Sequence, residues 1–217
     1  MKNRGVILFS ILIGALAISF VGTGQTTSFK PVQNIDEFKN TFSVESKKVN
    51  SITSTFRQEK VLSLVEEKMV SDGKFWFKRE NKIRIEYQNP FQYLLILNND
   101  EIIIKDHDKE NRMNVKSNKL FQQINRIILD CVQGSILDNN DFSVAAFENS
   151  NSYRLVMKPI TKGLQDFFSE IVVLVDKSDF TASELSLHET GGDYTTIFFS
   201  NKTLNANIPN SVFDLAQ

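Results

Sequence analysis

The stretch "FWFKRENKIRIEY", residues 75–87, decides how this chain folds. Side chains in an extended strand alternate between two faces, so Phe75, Phe77 and Arg79 fall in line on one side. After the charged knot at Arg79–Lys82 the alternation resumes. Ile83, Ile85 and Tyr87 share one face, and Arg84 and Glu86 share the other. This is the pattern of two neighbouring strands of an antiparallel sheet with one apolar and one polar side. An arginine sits where the apolar side would ordinarily carry a hydrophobe.

Strand signals continue outward from this pair. Ser54–Val65 and Met69–Arg79 read as strands before the knot, and Lys82–Tyr87 follows it. "FQYLLILNNDEIIIKD" reads as two apolar strands joined at Asn98-Asn99-Asp100, a favourable hairpin turn, and Met113 and Val115 continue the sheet. Further strands are expected at Phe142–Phe147, Tyr153–Lys158, Glu170–Asp176, Phe180–His188 and Tyr194–Phe199.

Two segments have helical period instead. From Asn34 to about Ile52, the residues Ile35, Phe38, Phe42, Val49 and Ile52 recur on one face, and Asn34 with Glu37 forms a capping pair. From about Ser117 to Gly134, Leu120, Phe121, Ile124, Ile127, Ile128 and Cys131 form a broad apolar stripe. Helix, strands, helix, strands is an α+β order. So many antiparallel strands in one small domain must curl or close. The expected fold is a strongly curved antiparallel sheet whose open mouth the two helices cover, packing their apolar stripes into its concave face.

Residues 1–24 differ from the rest. Lys2 and Arg4 precede an uncharged, mostly apolar run from Val6 to Val21, and small residues follow at Gly22 and Gly24. That is the order of a secretory signal peptide cleaved after about Gly24, and the run is short of the ~20 apolar residues of a membrane span. Export to the periplasm is expected. About 190 residues then remain, the size of one domain with a substantial core.

Composition narrows the function classes. A formal net charge of -1 names no charged partner, and nucleic acid is not expected without a basic patch. Phenylalanine is abundant at 18, against 4 Tyr and 1 Trp, which favours surfaces meant for hydrocarbon. The single Cys131 forms no internal disulfide and is expected to pack as a small buried hydrophobe. His107 and His188 lack zinc-motif spacing and are expected as surface hairpin residues. No nucleophile elbow, Cys-His signature or phosphate-cradling glycine loop occurs, so neither an enzyme nor a cofactor is expected.

Arg79 admits two readings. On a cavity-lining face, a guanidinium needs acceptors, and the C-terminal carbonyls of a lid helix supply them. Alternatively it ends a strand, faces solvent and pairs with Glu80 or Glu86.

The segments "FRQEK" (56–60), "GKFWFKRENKIRIEY" (73–87) and "TTIFFSNKTLNANIPNSVF" (195–213), in that order after a signal peptide, resemble the periplasmic outer-membrane lipoprotein carrier proteins, the LolA family. The resemblance spans essentially the whole of residues 25–217 and implies one carrier domain there, a half-open β-barrel with a helical lid covering an apolar cavity. It implies that acylated lipoproteins pass from an inner-membrane lipoprotein-releasing transporter to an outer-membrane acceptor; a monomer is expected. It also implies that Arg79 points into the cavity and bonds the lid. Where the family usually has Pro after this arginine the chain has Glu80, and Ile85 stands where Trp is frequent. The acyl-binding face is then Phe75, Phe77, Ile83, Ile85 and Tyr87, beneath a lid carrying Leu120, Phe121, Ile124 and Ile128. The runner-up is a lipid- or lipoprotein-sensing regulatory envelope domain, or a carrier of another lipid; a hydrolase comes third.

Overall fold

A computed structural model describes residues 28–117 and 119–215. The side chains of 119–121, 124, 132 and 133 are outside that description, as is the expected signal peptide at residues 1–24. In chain order the elements begin with β1 (Lys30–Pro31), α1 (Ile35–Lys47), β2 (Ser51–Leu62), β3 (Glu67–Lys78) and β4 (Lys82–Asn89). Next come β5 (Tyr93–Asn98), β6 (Glu101–Asp106), β7 (Lys109–Asn114), α2 (Lys119–Gln133), β8 (Phe142–Glu148) and β9 (Ser152–Pro159). The chain closes with α3 (Lys162–Gln165), β10 (Phe168–Asp176), β11 (Ala182–Glu189) and β12 (Tyr194–Leu204). A short 3-10 turn, Asn210–Phe213, follows.

All twelve strands form one sheet in the order β1-β8-β9-β10-β11-β12-β2-β3-β4-β5-β6-β7. Every neighbouring pair is antiparallel. The two ends of that order, β1 and β7, are not paired with each other, so the curved sheet remains an unclosed barrel. Chain direction explains the order. Hairpins build β2 to β7 as one run and β8 to β12 as another, and the β12–β2 pairing joins the runs through their longest strands.

The concave face holds two apolar clusters. One gathers Phe38 and Phe42 of α1 with Leu155, Met157, Ile171, Val173 and Val175 of β9 and β10. The other gathers Phe56, Phe75, Phe77, Ile83, Leu97 and Ile102 of β2 to β6. Residues as deeply buried as Phe77 (0% exposed) and Ile83 (1%) each contribute about 2 kcal/mol of apolar burial. Helix α2 lies across both, with Ile127 in the first cluster and Ile128 and Leu129 against the second.

The convex face is also covered in part. Ile96, Ile103, Ile208 and Phe213 are buried together, with Trp76, Leu94 and Val212 packed on them. The chain after β12 folds back over this side. Lys78 Nζ donates to the Ile208 carbonyl at 2.8 Å and Arg84 Nη1 to the Val212 carbonyl at 3.1 Å. The Arg84 guanidinium stands 5.6 Å from the centre of the Trp76 ring. This hook explains why "LLIL" and "III" are continuous apolar runs: β5 and β6 are buried on both faces.

Several expected boundaries move. The first helix ends at Lys47, not near Ile52, because Ser51 and Ile52 already pair with Lys78 and Phe77 in β2–β3. Phe38, Phe42 and Ser46 form its buried stripe at intervals of one turn, while Ile35 is exposed. Its capping pair is formed: Asn34 accepts from the Glu37 backbone amide at 3.1 Å, and its own amide donates to the Glu37 carboxylate at 3.1 Å. Val115 belongs to a 3-10 turn and not to the sheet. Phe180 sits in the β10–β11 turn at φ 54, ahead of β11. The hairpin at Asn99-Asp100 forms with Asn98 opposite Glu101 and Asn99 left-handed at φ 59. The β3–β4 turn places Glu80 at φ 76 and Asn81 at φ 57. Proline is locked near φ -65°, so a residue other than proline at position 80 is required by this turn's geometry. Among the described residues, no helix is long and apolar enough to cross a membrane.

Candidate functional site

The concave face holds a partly open cavity of about 110 Å³ between the two apolar clusters. Its wall is built by period-two alternation. Strand β2 contributes Ile52, Ser54 and Phe56, β3 contributes Phe75, β4 contributes Ile85 and Tyr87, and β12 contributes Ile197 and Phe199. Val173 and Leu185 complete the far wall, and α2 roofs the space with Ile127, Ile128 and Cys131. The rings lock one another in edge contacts, Phe56 against Tyr87 at 5.0 Å and Phe75 against Phe199 at 5.5 Å between centroids.

Two glycine-level details shape the space. A Cβ on Gly73 would lie 2.5 Å from the Phe56 ring, so the absence of a side chain there lets Phe56 lie flat over β3. Gly134, at φ +76, ends α2 where a Cβ would come within 2.8 Å of Ser46. The two helices therefore touch at a point where only glycine fits.

Of the residues expected on the acyl face, Phe75, Ile85 and Tyr87 line the cavity. Phe77 and Ile83 are on the same face but one step further along, paired with each other and sealed in the core between the cavity and the β3–β4 turn. Of the expected lid residues, Ile128 faces the cavity, and the side chains of Leu120, Phe121 and Ile124 lie outside the described residues. Ile127 and Cys131, also on the helical stripe, face it too. Sequence reading left out Ser54, Phe56, Ile197 and Phe199, although the same alternation that marks β3 and β4 runs through "ITSTF" and "TTIFF".

Arg79 follows the last residue of β3 and turns toward α1. Its Nε donates to the Val49 carbonyl and its Nη2 to the Ser46 carbonyl, both at 2.7 Å. Its backbone amide donates to the Asn50 carbonyl at 2.8 Å. The guanidinium thus takes up carbonyls at the C-terminal end of α1, where the helix presents partial negative charge. Glu86, the alternative ion-pair partner, is instead held by Arg84 at 2.7 Å. The same end of α1 carries Ser46 against Gly134, so Arg79 and the end of α2 both meet the last turn of α1.

The electrostatics of the site are those of a dry pocket. Burial pushes the Tyr87 phenol up to about 12, with its hydroxyl donating to Gln58 Oε1 at 2.8 Å. Burial, aided by the neighbouring Asp130, pushes the free Cys131 thiol up to about 12 as well. Although Cys131 is only half-buried by area, its thiol lies among apolar side chains, which is the environment that governs ionisation. Both groups stay neutral near pH 7 and offer no nucleophile. The histidines are elsewhere: His107 pairs with Asp106 at 2.8 Å in the β6–β7 turn, and His188 stacks on Tyr194 within the sheet, not in a hairpin turn. Among the described residues no group of three or more His, Cys, Asp or Glu side chains is placed to hold a metal ion.

This curved sheet has counterparts. An uncharacterised conserved protein from Thermus thermophilus superposes with a TM-score of 0.52 at 9% identity, over 85% of this chain and 95% of that one. The structure of MucB gives 0.51 at 14% identity, over 85% of this chain and 64% of that one. A LolA superfamily protein from Nitrosomonas europaea gives 0.42 at 8% identity, over 81% and 96%. No curated protein matches the chain. The family described as outer membrane lipoprotein carrier protein LolA matches residues 47–216, from the end of α1 through the C-terminal hook. That span takes in every strand of the cavity wall, the roof helix and Arg79, and the chain belongs to the LolA family.

Proposed function

We propose that this protein is a periplasmic carrier that binds the acyl chains of lipoproteins in its concave face and passes them from the inner to the outer membrane. Membership of a family of lipoprotein carriers supports this reading. The observation that carries it is the relation between the cavity and its roof. The wall is a broad apolar surface, yet the space beneath the roof is about 110 Å³, less than the ~150 Å³ that holds one benzene ring. A whole acyl chain needs more room than that, and movement of α2 supplies it, Ile127, Ile128 and Cys131 giving up their contacts to the chain.

That exchange makes a carrier and not a trap. Burying an acyl chain is worth ~0.8 kcal/mol per methylene, so a chain of roughly 15 methylenes gains about 12 kcal/mol. A roof that fills the same surface in the empty state subtracts its own contacts from that sum, and so cargo can leave. No covalent chemistry is needed. The leader at residues 1–24 supplies export, an inner-membrane releasing transporter supplies cargo, and an outer-membrane acceptor removes it.

The test is to isolate the protein gently from its own envelope and identify what it retains by mass spectrometry. Acylated lipoproteins are expected. Retention of a protein partner only when lipid is present, with no transfer between membranes, would make this a sensor on the same scaffold. Retention of nothing acylated would overturn the carrier reading.

A further inference from the structure

The cavity has one polar corner, and the corner is built. On β12, Ile197 and Phe199 face inward, so continued alternation would turn Lys202 outward. A bulge prevents this. Ser200 pairs with Thr55 and Thr203 with Thr53, so Asn201 and Lys202 together oppose the single residue Ser54. Asn201 takes φ 53 at that point, and beyond it Lys202 and Leu204 turn toward the concave side. Lys202 is 13% exposed, and its ammonium is held by Asp176 at 2.6 Å, Asp179 at 3.0 Å and the Thr181 hydroxyl at 2.9 Å. Facing it across the bulge, Ser54 is 7% exposed and lines the same cavity, and its Oγ has no hydrogen-bond partner.

An unpaired buried hydroxyl in an apolar pocket is costly unless something supplies its partner. We propose that Ser54 donates its hydroxyl hydrogen to the carbonyl oxygen of an ester- or amide-linked acyl chain, making this corner the end of the cavity that reads the linkage. This rests on the acyl-carrier reading above and adds a selectivity to it. Lys202 brings one positive charge and Asp176 with Asp179 two negative ones, so the corner has no cation left for a free fatty acid. A carboxylate there would meet net negative charge in a low-dielectric site. A neutral carbonyl needs one donor, which Ser54 has. The cavity therefore prefers linked acyl chains to free acids.

The experiment uses the purified protein with the apolar dye N-phenyl-1-naphthylamine in the cavity, displaced by monopalmitoylglycerol or by palmitate. The ester is expected to compete better than the acid. With the dye affinity measured separately for each variant, Ser54→Ala should weaken the ester by about fivefold, as loss of one hydrogen bond does, and so shrink the preference for ester over palmitate. Ser54→Thr, which keeps a hydroxyl, should restore part of the preference. Ester competition equal in Ser54→Ala and the parent protein, or palmitate competing as well as the ester, overturns the linkage proposal while leaving acyl carriage standing. Failure of both lipids to displace the dye overturns acyl carriage itself, and the proposal with it.

Discussion

The Arg79 guanidinium donates to the Ser46 carbonyl at 2.7 Å, tying the end of the aromatic strand to the last turn of α1. Ser46 in turn abuts Gly134 at the end of α2. Strand, first helix and roof helix thus meet in series, through hydrogen bonds at the first joint and close packing at the second.

Replacing Arg79 with Leu removes two charge-assisted hydrogen bonds and leaves the Val49 and Ser46 carbonyls without them. A loss of about 3 kcal/mol in the empty protein is expected in urea unfolding. Because the roof then competes less well for its own socket, an acyl ligand should dissociate more slowly. Stopped-flow off-rates decide this, and equal rates would defeat the latch.

Gly134→Ala adds a Cβ at φ +76 that would sit 2.8 Å from Ser46. Both strain and collision fall on the joint between the helices. Destabilisation of more than about 1 kcal/mol is expected, with the sheet unaffected in its circular dichroism.

Cys131→Phe puts a ring into the space beneath the roof. Acyl binding should fall at least tenfold while the thermal midpoint changes little, since the added surface fills space already enclosed. Retained binding would mean that the ligand lies elsewhere.

Phe213→Ala provides the contrast. Phe213 is fully buried on the convex side and does not line the cavity. A loss of about 3–5 kcal/mol in stability is expected, with ligand affinity unchanged in the fraction that remains folded.

Alkaline pH should probe the dryness of the pocket. Cys131 and Tyr87 rise from 9.0 and 10.0 to about 12 on folding, so the folded protein keeps protons that the unfolded chain has released. Their contribution is intact below about pH 9 and is lost as pH climbs toward 12. Cys131→Ala should flatten that decline in a melting series against pH. An unchanged slope would show that the thiol is wet.

Much of this was legible because period-two alternation survives wherever one face is solvated. The strand from Lys82 to Tyr87 follows directly from it, the apolar runs on either side of Asn99-Asp100 are marked instead by that turn, and the capped start of α1 by its own sequence signature. The reading failed where a local pattern was overruled by contacts far away in sequence. Ile52 fits the helical stripe of α1, but Phe77 claims it for the sheet. Phe77 and Ile83 carry the same alternation as Phe75 and Ile85, and only the depth at which the roof stops separates core from cavity. Lys202 was beyond reach altogether, since an inserted residue in β12 reverses which side chains face inward. The hook over the outer face was equally hidden, because Ile208 and Phe213 have no periodicity of their own.

The placement of Trp76 has a practical outcome for anyone working with this molecule. As the chain's one indole, it lies on the outer surface under Arg84 and the hook, with the thickness of the sheet between it and the socket. Its emission will therefore register the undocking of the C-terminal tail and remain dark to cargo. An optical signal for loading has to be introduced from the other side, and a tryptophan installed at Phe199 would stand in the cavity wall itself.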